Sequence, residues 1–156
     1  MTTTLLIDCL DELPGHHIRR LQQIAVGIFM DETSDVNVTP VQFALLFAAS
    51  KETGLDQRTL AGRIGLDTST IGAVVDRLES RGLIERKVSP DDKRVRLLSV
   101  TPAGKKLLQW VMPGMLRAQD RMLAPLSKAD RTKFMAMIKT IVEENNVWSR
   151  AAKDAG

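Results

Sequence analysis

The stretch from Asp67 to Val100, "DTSTIGAVVDRLESRGLIERKVSPDDKRVRLLSV", constrains the fold more than any other. Ile71, Val74, Val75 and Leu78 recur at i, i+3, i+4 and i+7, an apolar stripe along one side of a helix. Asp67 is placed to cap that helix and Gly82 to stop it. "LIERKV" then reads as a strand, with apolar Leu83, Ile84 and Val88 but imperfect alternation. Pro90-Asp91-Asp92 is turn-forming, and Val95 to Val100 returns as the partner strand. The stripe and the apolar strand positions are core material. The other side of the helix and the charged hairpin tip are left to face something polar.

The flanking sequence supplies more helices. Before the stripe lies the short helix "QRTLAGRIG", with Leu60, Ala61 and Ile64 facing inward and Gly65 as its C-terminal turn. Upstream, "VTPVQFALLFAASKETG" opens with Thr39 as N-cap, Pro40 at the first helical position and Gln42 completing a capping box. Phe43, Leu46 and Phe47 share one side, and Gly54 ends it. After Leu13-Pro14-Gly15, the residues Ile18, Leu21, Ala25 and Ile28 recur at helical spacing. Thr101-Pro102 starts a long helix, and Pro113-Gly114 should kink it. Ser127 with Asp130 resembles a second capping box, before a last helix with Phe134, Ile138, Ile141, Val142 and Trp148. The expected fold is mainly α with a small two-stranded β wing, in a single domain spanning residues 1–156.

Charge is distributed unevenly. The net is −4 over residues 1–55, +4 over 56–106 and +3 over 107–156. The basic excess begins in the segment that holds the hairpin, as expected of a surface that meets phosphates. Two short helices joined through a glycine turn read as a helix-turn-helix, and the hairpin as its wing. With the stripe buried, the opposite side of the second helix shows Ser69, Thr70, Gly72, Ala73, Asp76 and Arg77, and Thr68 joins them as a candidate DNA contact. It is small and polar, and its N-terminus favours anions. Lys93, Arg94 and Arg96 mark the wing tip. Arg94 is the natural minor-groove probe, and Asp92 is placed to hold its guanidinium. A surface helix whose Asp76, Arg77 and Arg81 pair internally is the alternative.

"LAGRIGLDTSTIGAVVDRLESRGLIER" followed by "DDKRVRLLSVTPAG" resembles the multiple-antibiotic-resistance regulator (MarR) family of bacterial transcription factors. That family's wing pattern is Asp-x-Arg, an apolar strand, then Leu-Thr-x-x-Gly. Asp92, Arg94, Thr101 and Gly104 match it, with Val100 in the Leu position. "VTPVQFALL" is similar to the family's Leu-Thr-x-x-Gln helix opening, with Val38 in the Leu position. The resemblance covers residues 39–104 at motif level, and element order extends it. It implies a homodimer on a palindromic double-stranded operator. Helices within residues 13–35 and 101–150 would form the dimer base, and residues 39–100 the winged helix-turn-helix lobe. Met112, Met115, Leu116, Met122, Met135, Met137, Trp110 and Trp148 are candidate interface side chains, or else intramolecular core.

The resemblance also implies a small effector. "PGHHIRRLQQ" carries His16, His17 and Arg20 where a cation beside apolar walls would suit an aromatic carboxylate. An exposed basic helix start is the alternative. The rival sensor is Cys9, as in peroxide-sensing members, but Asp8 and Asp11 flank it and the chain has no tyrosine. A lone cysteine excludes an internal disulfide and favours a reducing, cytoplasmic compartment. Residues 1–15 lack the basic start of a secretory signal. No run approaches the roughly 18 apolar residues of a membrane span. No Cys/His set, phosphate loop or nucleophile elbow is present, so no metal, cofactor or catalytic residue is expected.

Overall fold

The computed structural model describes residues 9–149, so the reading of the extreme N-terminus and the end of the 101–150 segment lie outside the described residues. Six helices and three strands follow in the order α1 (Pro14–Glu32), α2 (Pro40–Lys51), β1 (Leu55–Asp56), α3 (Gln57–Arg63), α4 (Thr68–Ser80), β2 (Ile84–Val88), β3 (Arg96–Val100), α5 (Pro102–Leu123) and α6 (Lys128–Glu144). Short 3-10 turns at Leu10–Glu12 and Asn146–Trp148 flank them.

The helix starts are chemically specified. Thr39 and Gln42 form the full capping box of α2, with Pro40 behind the cap. Asp56, Asp67, Thr101 and Ser127 accept the N3 backbone N–H at the starts of α3, α4, α5 and α6. Each such cap is worth about 1 kcal/mol. At α6 only half of the expected box forms, because the Ser127 hydroxyl donates to the Asp130 carboxylate at 2.7 Å. Gly65 and Gly82 both take φ 68°, the left-handed turns that release α3 into α4 and α4 into β2.

Leu45, Leu46, Leu60, Val75, Leu78 and Leu98 are fully buried in one core that joins α2, α3, α4 and the sheet. The whole α4 stripe of Ile71, Val74, Val75 and Leu78 lies within it. The sheet has three strands, not two. Its order is β1-β3-β2, all antiparallel, with Leu55 opposite Leu98 and Arg86 opposite Leu98 on the other side. The extra strand is two residues long, which leaves no periodicity to read.

A second cluster, Phe29, Val111 and Ala118, packs α1 on α5. Gly114 permits the approach, since a Cβ there would sit 2.6 Å from the Glu32 carbonyl oxygen. α5 carries Pro113 inside its span. Pro113 and Gln109, whose carbonyl loses its helical donor, are both exposed, so water can replace the missing bond. On α1, Leu21, Ala25 and Ile28 are half-buried while Ile18 is exposed.

Candidate nucleic-acid interface

α4 turns its stripe inward and leaves Thr68, Ser69, Thr70, Ala73, Asp76 and Arg77 exposed on the other side. The first turn is ordered by Asp67. Its carboxylate accepts the Thr70 N–H at 2.8 Å and the Ser69 hydroxyl at 2.5 Å. Arg77 makes no ion pair among the described residues, whereas Asp76 is taken by Arg86 and Arg81 donates to the Asn37 carbonyl at 2.6 Å. The internal trio of Asp76, Arg77 and Arg81 therefore does not form among the described residues, and Arg77 stays exposed on α4.

The wing tip is a compact turn. Ser89, buried, receives the Asp91 N–H on its hydroxyl and pairs its own N–H with the Val95 carbonyl. Asp92 accepts the Arg94 backbone N–H at 2.9 Å, and Arg94 Nε and Nη2 at 3.2 and 3.3 Å. This is the pairing expected from the spacing. The Arg94 side chain remains 91% exposed, so it is steered without being used up. The Arg94 guanidinium, then its backbone N–H, hold the Asp92 carboxyl below the usual aspartate range. Lys93 is exposed and its carbonyl accepts Arg96 Nη1 at 2.7 Å. Arg96 thus braces the turn at the same time as it adds charge.

Sequence reasoning missed Arg86. It lies on β2, half-buried, and its guanidinium bonds both Asp76 and Glu79 of α4. The only signal was the imperfect alternation of "LIERKV", where a charged residue stands at an inward position.

At the other end of the chain, His16 and His17 stand side by side in the first turn of α1. Their rings meet edge-on, 5.5 Å between centroids. Asp11 draws them together: its carbonyl lies 2.6 Å from His17 Nε2 and its carboxylate 3.9 Å from His16 Nε2. Arg20 is exposed one turn on and makes no ion pair among the described residues. Cys9 is an exposed free thiol. A separate cleft of about 310 Å³ opens between α2 and α5, lined by Phe47, Ser50, Lys51, Lys105, Leu108, Gln109 and Met112. Lys51 Nζ lies 5.0 Å from the centre of the Phe47 ring there. Among the described residues no cluster of His, Cys, Asp and Glu is arranged to hold a metal ion. Nor is any helix among them long and apolar enough to cross a membrane.

Known proteins share both the motifs and the architecture. The family model described as the MarR family matches residues 38–95, which run from the α2 cap to the wing tip. The PcaV transcriptional regulator of Streptomyces coelicolor, solved with its natural ligand, is 36% identical, with 86% of this chain and 94% of that one covered and a TM-score of 0.80. The chain belongs to the MarR family. Two further solved relatives are informative. The repressor CouR, solved on a 23-mer DNA duplex, is 30% identical over 86% of this chain and 95% of its own, at a TM-score of 0.80. BpsR of Bordetella bronchiseptica, whose DNA binding is regulated by 6-hydroxynicotinic acid, is 26% identical over 83% of this chain and 93% of its own, at a TM-score of 0.79. This MarR-family chain is therefore a transcriptional regulator.

Proposed function

We propose that this regulator is a homodimeric repressor that binds a palindromic duplex operator and is released by a small aromatic carboxylate. The observation that carries the DNA reading is Arg94, steered by Asp92 yet 91% exposed at the tip of a wing beside the exposed side of α4. α4 enters the major groove, with Thr68, Ser69, Thr70 and Ala73 allowing close approach and Arg77 reaching a phosphate or a guanine edge. Lys93, Arg94 and Arg96 meet the adjacent minor groove, with Asp92 orienting Arg94. CouR, solved on DNA, supports this by fold and sequence likeness.

Residues 39–100 form the DNA-binding lobe, and helices within 13–35 and 101–150 the dimer base. Met137, Ile141, Val142, Val147 and Trp148 are all more than half exposed, a large apolar surface for a single chain. A second copy is the economical cover for it.

For the effector, BpsR lends the chemistry of an aromatic acid. Arg20 and His17 at the start of α1, with His16 beside them, are the proposed carboxylate contacts. The α2–α5 cleft is a second place for the ring, favoured by Lys51 over Phe47. α1 lies with its C-terminal end against Gly114 of α5, so within one chain the histidines stand about 20 Å of helix away from Glu32. Titrating hydroxybenzoates and pyridine carboxylates into wild type, Arg20→Ala and Lys51→Ala, with operator release as the readout, separates the two places. Release by peroxide that depends on Cys9, with no acid binding, would replace the aromatic-acid reading.

A further inference from the structure

The inward face of β2 breaks the rule that built the core. Ile84 is buried and points at α4, and two residues later the same face carries Arg86, opposite fully buried Leu98. An apolar residue there would pack as well. Instead the Arg86 side chain is only 24% exposed, and its guanidinium is divided between two acids of α4. Its Nε donates to Glu79 Oε2 at 3.0 Å and its Nη2 to Asp76 Oδ1, while the Arg86 backbone N–H donates to Glu79 Oε1 at 3.3 Å. Glu79 therefore holds both the strand backbone and the side chain of one residue. Asp76 lies on the same exposed side of α4 as Ala73 and Arg77.

We propose that Arg86 is a positioning residue for DNA recognition: it fixes the wing strand to the recognition helix and cancels two carboxylates that would otherwise repel the DNA backbone. The inference rests on the DNA reading above. A wing aimed eight residues downstream, at Arg94, is useful only if β2 keeps one angle to α4. Asp76, left bare beside Arg77, would face phosphates with a like charge. The planar fork of arginine serves two acceptors at once, which a lysine ammonium on one stem does less well.

The test measures affinity for a labelled duplex, selected from genomic fragments by the wild-type protein, at several salt concentrations. Arg86→Gln should bind about tenfold or more weakly at low salt, and the part of the loss that comes from bared carboxylates facing phosphates should shrink as salt screens that repulsion. Adding Asp76→Asn and Glu79→Gln to it should recover the share of the loss that the bared carboxylates cause and leave the share due to the lost tie between β2 and α4. Adding Glu143→Gln and Glu144→Gln on α6, which makes the same change of net charge at a distant place, should recover neither. Arg86→Lys should fall between wild type and Arg86→Gln, and it carries the comparison if Arg86→Gln does not fold. Wild-type affinity in Arg86→Gln, or in Arg86→Lys where that variant carries the comparison, overturns the proposal. So does equal recovery from the α6 pair. Arg94→Ala run alongside separates the failures. If it too binds like wild type, the DNA reading falls; if it alone loses affinity, only the role of Arg86 does.

Discussion

Replacing Arg94 by alanine isolates the wing from the fold. Its side chain is 91% exposed and its ion pair with Asp92 is on the surface, so stability should move by no more than about 0.5 kcal/mol. DNA affinity should move far more. A groove contact of this kind is worth roughly 1–3 kcal/mol, about 5- to 150-fold, for each wing. A two-fold dimer carries two wings, so the loss per dimer compounds if the sites are independent. Asp92→Ala should weaken binding in the same direction but less, because it frees the guanidinium and its backbone N–H without removing the charge. Fluorescence anisotropy with labelled operator, paired with thermal melts of both variants, measures the two effects separately. Unchanged affinity for Arg94→Ala, with an intact fold, would refute the reasoning from wing to groove.

Three further outcomes follow from the packing and the charges. Gly104→Ala places a Cβ 2.2 Å from the Leu83 carbonyl oxygen, so α5 must shift off the wing; the melting temperature should fall by on the order of 5 °C. Glu32 is held below its ordinary value of 4.5 by hydrogen bonds from Arg117 and Arg121. Its contribution is complete above that value and lost as pH falls below it through the depressed one. Glu32→Gln should therefore melt lower than wild type at pH 7, and the gap should close in melts taken progressively below pH 4.5. Ile141→Glu with Val142→Glu should leave helix content unchanged and yield monomers by light scattering, since both side chains are exposed in one chain and are assigned to the dimer base.

Much of the lobe was legible because it is specified locally. The α4 stripe, the Thr39 box, the Asp67 cap and the Asp92–Arg94 pair each depend on residues within a few positions of one another. The misses have the opposite character. β1 exists only because Leu55 and Asp56 meet β3, more than forty residues away. Arg86 finds its acids only after β2 docks on α4, and the strand reading registered it merely as a flaw in alternation. Asp11 meets both histidines of α1 from outside that helix, a contact that helical periodicity does not register. Periodicity likewise marked Ile18, Ile141 and Val142 as apolar without telling an intramolecular core from a surface that only another chain can cover.

In the proposed complex, two copies of α4 and its wing read DNA with two-fold symmetry. Footprinting the wild-type protein on the genomic fragments that it selects tests this most directly. An inverted repeat is expected, with half-site centres about one helical turn apart, roughly 10 base pairs, and protection extending into the flanking minor grooves where the wings reach. A single asymmetric site protected by one chain would contradict it.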